Sequence, residues 1–246
     1  MPLAVSDYRQ VIGWMHSMIA AGGRGYVTAA AVNLVMSARE DPATMDAVLG
    51  ATLAVPDGQP LVWALHALGN PGATRVYGPD LMALFCESAA GAGTPMYLYG
   101  GRTPEALTLL QQRLRERFPG LQIVGAYSPP FRPPTAEEDE EQARAIDDSG
   151  AEVVWVGTGQ PKQELWMHRM RPRLQAPLLV GVGAAFDFHA GLVSQAPPWM
   201  QRSGLEWTYR LSREPRRLWR RYLSQNPLFV ALFARQYARH RRGRAR

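Results

Sequence analysis

Short apolar runs recur along the chain, each followed by a turn and then by apolar residues at helical spacing. The runs are Gly25–Ala31, Thr52–Pro56, Pro95–Tyr99, Leu121–Ala126, Val153–Val156 and Pro177–Ala184. They are rich in β-branched and aromatic residues and too short for helices, so they predict strands, the first ending near Thr28. Helical spacing predicts a helix capped by Ser6 and running through about Ile19, then helices over Val32–Arg39, from Asp41-Pro42 to Leu49, and over Leu61–Leu68. Further helices are expected from Pro79, over Thr103–Phe118, from the Thr135/Glu138 capping box to Ser149, and after Gly159. Such regular alternation predicts an α/β fold with a doubly wound, mainly parallel sheet over residues 1–197. Beyond a hinge at Pro197-Pro198 the pattern changes. Residues 198–246 are expected to form a helical appendage in three pieces, Leu205–Ser212, Pro215–Ser224 and Pro227–Arg239.

The strand ends hold the candidate chemistry. VVWVGTGQPKQEL runs from strand through Gly157 and Gly159 into a helix, and PLLVGVGA and LYGG (with Gly100 and Gly101) repeat the form. Glycines between a strand and a helix bring backbone N–H groups up to an anion. GTGQPK and GVGAAF lack the third glycine of the dinucleotide fingerprint, so a nicotinamide enzyme stays a minor alternative, as do plain tight turns. Asp57 closes a buried strand beside Gly58, where a general base fits; the other reading makes it the cap of the helix that begins at Pro60. Arg75, just before a turn, suits bidentate contact with phosphate. Asp187 follows an apolar strand, and Gln163 opens the helix after Gly159, where its neighbour Glu164 is expected at the surface. His168 and His189 are isolated and read as structural, with no metal-ligand spacing around them.

Charge divides the chain as the pattern does. From Arg202 onward, thirteen arginines against two acids leave the tail at +11, so the first 201 residues carry −5 of a chain total of +6. The tail should seek a polyanion. Its middle piece sets Arg216, Arg217, Arg220 and Arg221 among Leu218, Trp219, Tyr222 and Leu223, which suits an anionic bilayer surface and equally a nucleic acid. One cysteine, Cys86, excludes a disulfide framework. With no apolar stretch of membrane-spanning length and no secretion-signal layout, a cytosolic protein is expected.

Taken in order, VPDG (55–58), RVYGPDLM (75–82), LYGG (98–101), GTGQPKQE (157–164), GVGAAFDFHAG (181–191) and GLEWTYRLSREPRRLWRRY (204–222) resemble the WecG/TagA/CpsF glycosyltransferases. The resemblance implies a Rossmann-like core without a metal-binding DxD motif or a cofactor. It also implies inverting transfer from a UDP-sugar to a polyprenyl-diphosphate-linked saccharide, peripherally on the cytoplasmic membrane face. Asp57 would be the base, with Thr28 beside it, Gln163 on the sugar or its phosphate and Arg75 on the departing diphosphate. Asp187 would meet uracil, Tyr127, Gly100, Gly101, Gly157 and Gly159 would complete the nucleotide pocket, and Arg210, Arg216 and Arg220 would neutralise diphosphates. The family's frequent Asn two residues after the threonine is Ala30 here, with Asn33 one helical turn on. N-acetylmannosamine, its uronic acid and glucose all fit the resemblance, and a homo-oligomer is left open. The competing class is a nucleic-acid-binding or non-catalytic nucleotide-binding protein.

Overall fold

The computed structural model describes residues 1–244, apart from the side chains of Arg217, Arg221 and Arg244. Those of Arg217 and Arg221, part of the basic cluster, thus lie outside the described residues. Strands β1 (Gly25–Ala30), β2 (Leu53–Pro56), β3 (Met96–Gly100), β4 (Ile123–Tyr127), β5 (Val153–Gly157) and β6 (Leu178–Gly181) form one sheet, ordered β2-β1-β6-β5-β3-β4. Every pairing is parallel. The helices are α1 (Tyr8–Ala20), α2 (Val32–Glu40), α3 (Pro42–Leu49), α4 (Gln59–Ala67), α5 (Gly78–Ala92) and α6 (Pro104–Arg117), followed by α7 (Ala136–Asp148), α8 (Lys162–Met170), α9 (Ala185–His189), α10 (Pro198–Arg202), α11 (Glu206–Arg213) and α12 (Pro215–Arg244).

Both faces of the sheet are buried, so its strands are apolar throughout rather than alternating with polar residues. On one face Leu98, Trp155 and Val180 pack with Leu107, Leu110 and Leu114 of α6 and with α1, α5 and α9. On the other, Tyr97, Tyr99, Val154 and Val156 pack with α7 and α8 through Ile146, Trp166 and Met167. Helix α6 therefore leaves β3 on one face toward β4, while α8 leaves β5 on the opposite face toward β6. Between β3 and β5 the winding reverses, which opens a crevice outside their carboxyl ends.

Glycine is required in that crevice. Gly100 has φ +142, and a Cβ there would sit 2.7 Å from the backbone of Gly157. A Cβ on Gly157 would meet the ring of Phe186 at 2.6 Å, so the two strand ends and α9 close on each other only without side chains.

Three expectations are corrected. Asp7, not Ser6, caps α1: its carboxylate accepts from the Gln10 N–H while Gln10 answers in a capping box. Strand β1 continues past Thr28 to Ala30 because it stays paired with β2 as far as Pro56. The last two pieces of the tail are one helix, α12, with Pro227 inside it. Leu218 and Tyr222 of α12 are buried, and Phe229 and Leu232 lie on the cluster of Val32, Leu34 and Met36 around α2. Burying side chains of this size contributes about 1.5–3 kcal/mol each, more than the roughly 0–1 kcal/mol of an exposed ion pair, so apolar contact holds α12 against the body.

Gly157→Ala should lower unfolding stability by about 1–3 kcal/mol through overpacking against Phe186. Gly13→Ala, in α1 with open space around it, should raise stability by about 0.5–1 kcal/mol. Urea denaturation of both variants checks the pair, and an undisturbed Gly157→Ala would contradict the packing.

Candidate active site

Because all strands run one way, Asp57 at the end of β2 stands on the same edge as the glycine turns. It lies about 17 Å from the β3/β5 crevice, three to four strand spacings of roughly 4.8 Å. The helix after β2 starts from Gly58, which gives no side-chain cap, so Asp57 does not cap it. Instead Asp57 Oδ1 accepts from the N–H of Gly78, the first residue of α5, at 2.9 Å. Its backbone N–H donates to Ala30 O at 2.8 Å, tying the end of β2 to the end of β1.

Asp57 borders a cavity of about 110 Å³ whose walls include Asn33, Gln59, Arg75, Glu206, Trp207 and Arg210. Neither α2 nor α4 has a side-chain cap, and the first residues of both line this space. First-turn N–H groups have no partner within their own helix, so these two N-termini favour an anion. Arg75 Nη2 donates to Glu206 Oε2 at 2.5 Å and its Nε donates to the backbone O of Asp57, with its guanidinium 4.1 Å from the Tyr77 ring centroid. Arg210 lies 5.9 Å from the Phe188 ring centroid, and its buried Nε meets no acceptor among the described residues.

Burial raises the Asp57 carboxyl from 3.8 to about 6, against the opposing pull of Arg75; Glu206 adds to the rise. Burial works against charge on Arg75, yet Asp57 and Glu206 hold its pKa above the ordinary value. The site is thus a shielded carboxylate, poised near neutrality, with two guanidinia beside it. It can accept a proton and stabilise a developing anion in one space.

The residues expected at the site fall into four places. Asp57, Arg75 and Arg210 share the cavity, as does Asn33, whereas Ala30 is buried. Gly100, Gly101, Gly157 and Gly159 lie at the crevice, where Gly101 and Gly159 have positive φ; Tyr127 ends the neighbouring β4, its ring 5.9 Å from that of Tyr99. Asp187, which follows β6 as expected, lies in the first turn of α9, paired with Arg102 at 2.9 Å. Thr28 and Gln163 are fully buried under the edge: Thr28 Oγ1 donates to Glu164 Oε1 at 2.6 Å, Gln163 Nε2 donates to the same atom at 2.9 Å, and Gln163 Oε1 accepts from Gly183 N at 2.9 Å. Neither lines the cavity. Glu164, expected at the surface, is buried with them because α8 turns that face onto β1, and burial raises its pKa. Arg216 and Arg220 are exposed, Arg220 over the Trp219 ring.

His168 and His189 are structural, next to Tyr26 Oη and Pro79 O. Among the described residues no cluster of His, Cys, Asp or Glu could hold a metal ion. Arg102, Glu206, Glu214 and Trp207 escaped the sequence. The one available signal was that an arginine-rich tail keeps just two acids.

A parallel α/β sheet with a reversal crevice, an anion-favouring cavity and a buried carboxylate is an arrangement suited to a phosphorylated, hydroxyl-bearing ligand. Over residues 1–243 the sequence matches the model of the glycosyl transferase WecG/TagA/CpsF family, and the chain belongs to that family. It is a glycosyltransferase of cell-surface polysaccharide biosynthesis, a class that joins a nucleotide-sugar donor to a lipid-linked acceptor.

The folded state holds the Asp57 proton more tightly than the unfolded chain, so ionising it costs stability that accrues as pH rises from about 4 to about 6. Asp57→Asn keeps the acceptor for Gly78 N and removes the charge. It should therefore melt above the parent near pH 7.5, with the gap closing toward pH 4. Coincident melting temperatures at both pH values would contradict a shielded charge.

Proposed function

We propose that this chain is an inverting, metal-independent transferase that moves a hexose from a UDP-sugar to a polyprenyl-diphosphate-linked saccharide. The donor sugar is N-acetylmannosamine, its uronic acid or glucose. The observation that carries this reading is the Asp57 carboxyl in one cavity with Arg75, Arg210 and two uncapped helix N-termini. Asp57 takes the proton of the acceptor hydroxyl, whose oxygen attacks the anomeric carbon. The bond from that carbon to the phosphate oxygen breaks on the opposite face, and its electron pair leaves with UDP. Arg75, Arg210 and the helix N–H groups stabilise the charge that develops there.

Asn33 borders the cavity, which supports its standing in for the family's Asn, replaced here by Ala30. In this reading the donor extends from Asp57 to the crevice, about 17 Å away, with uridine at the crevice and Asp187 and Tyr127 near its base. Thr28 and Gln163 act in this reading by fixing the end of β1 and the Gly183 turn. Residues 1–197 carry the catalytic sheet, and residues 198–246 cover the cavity and meet the membrane.

No helix among the described residues is long and apolar enough to cross a membrane. Contact with an anionic bilayer at its cytoplasmic face is assigned to the exposed arginines of α12, with Trp219 and Leu223 between them.

Asp57→Asn should lower turnover by about 10²–10⁴-fold with UDP affinity nearly unchanged, measured by transfer assay and calorimetry; unimpaired turnover would reject the base assignment. Arg216→Glu with Arg220→Glu, both on the exposed side of α12, should abolish flotation with anionic vesicles without altering the melting temperature. Flotation equal to the parent's would remove these arginines as the membrane contact.

A further inference from the structure

Arg102 follows the Gly100-Gly101 turn at the end of β3, one residue before Thr103 caps α6. Its Nε donates to Asp187 Oδ2 at 2.9 Å and its Nη2 donates to Glu214 Oε1 at 3.1 Å. Asp187 belongs to α9, which follows β6, and β5 lies between β6 and β3. The side chain thus reaches across the end of β5, directly over the reversal crevice. It remains 40% exposed there, within reach of a ligand.

We infer that Arg102 binds a phosphate of the nucleotide donor in this crevice, and that Glu214 is a built-in substitute for that phosphate which gives way when the donor enters. The inference rests on the nucleotide-sugar reading above. The two carboxylates on Arg102 come from different parts of the chain. Asp187 is fixed by the short helix behind Gly157 and orients the planar fork, while Glu214 arrives on the C-terminal segment, at the junction of α11 and α12. A phosphate can replace Glu214 on Nη2 and leave the Asp187 bond intact. The exchange conserves the charge-assisted bond and brings more negative charge to the guanidinium.

The tail's composition supports the same conclusion. From Arg202 onward it has thirteen arginines and only Glu206 and Glu214 as acids. Both acids lie on arginines of the body, Glu206 on Arg75 beside Asp57 and Glu214 on Arg102 at the crevice. Acids kept for solubility would be scattered over the surface. These two instead cover the body's cations at the two ends of the proposed donor path, so the tail seats itself where the substrate's negative charge belongs. The nucleoside-side phosphate falls to Arg102, and donor entry loosens the tail at the α11–α12 junction.

Calorimetric titration with UDP, and with uridine as the phosphate-free control, separates the outcomes. If Glu214 competes with phosphate, Glu214→Gln should bind UDP several-fold more tightly than the parent and leave uridine affinity unchanged. If Glu214 merely positions Arg102, the same variant binds UDP more weakly, and the inference is overturned. Arg102→Gln should weaken UDP binding by about tenfold or more. Arg102→Lys, which keeps charge but not the fork, should fall between and guards against a folding artefact. In the Arg102→Gln/Glu214→Gln double variant the gain from Glu214→Gln should vanish, because no guanidinium remains to compete for. UDP affinity unchanged in Arg102→Gln also overturns the inference. A parent protein that does not bind UDP at all would instead sink the nucleotide-sugar reading itself.

Discussion

The groups of the cavity and the crevice stand on one edge because all six strands run in the same direction. Parallel strands need crossover helices, and helices on both faces leave only the strand ends in contact with solvent and ligand. The carboxyl ends therefore gather Asp57, the crevice glycines, Asp187 and the N-termini of α2, α4, α6 and α8 from strand ends far apart in the sequence. Polarity fixes what gathers there. Helix N-termini and glycine amides present donors, so the edge favours negative charge even before any arginine is added.

Into that donor-rich edge the fold places a carboxylate. Asp57 is stable there because Gly78 N donates to it and Arg75 lies beside it, yet burial still dominates and lifts its proton affinity toward neutrality. A carboxylate fully compensated by its arginine would be a poor base, and one left uncompensated would stay protonated. The intermediate value follows from Arg75 being shared. Glu206 takes one arm of the guanidinium and adds its own repulsion to Asp57, so the tail takes part in setting the reactivity of the body's acid. Such coupling needs the segment to be seated, which explains why α12 is anchored by Leu218 and Tyr222 rather than by charge alone.

The strand and helix pattern was legible from the residues because both faces of a parallel sheet must be apolar and its turns need glycine. Asp57, Arg75 and Arg210 were found by type and position, the last through the family resemblance. What the sequence could not show is which way a helix faces. Glu164 reads as a first-turn surface carboxylate by its place near the start of α8, but α8 lies on β1 with that side inward, and Thr28 and Gln163 are drawn into its hydrogen bonds. Pro227 reads as a break, yet α12 passes through it. Packing of Phe229 and Leu232 on α2 on the far side of the proline favours one continuous helix over two. Arg102 was invisible for a different reason. A lone arginine in a turn has no periodic signature, and its meaning comes from two carboxylates, 85 and 112 residues away.

An arginine-rich segment folded over an anion site faces a difficulty of its own making. Its +11 would repel the site's own cations, Arg75 and Arg102, unless negative charge lies between them. Substrate phosphates supply that charge during turnover; between turnovers something else must, or the segment would be driven off and the apolar contacts of Leu218 and Tyr222 exposed. Two glutamates meet the need, Glu206 in a largely buried pair with Arg75 and Glu214 on the more exposed Arg102; a solvent-exposed carboxylate–guanidinium pair contributes only about 0–1 kcal/mol, so the second yields more readily to a phosphate. A pair at the crevice buried as deeply as Arg75–Glu206 would hold the lid more firmly there and obstruct the donor. The weakness of the Arg102–Glu214 bridge is therefore what allows one segment both to cover the cavity and to admit a charged donor.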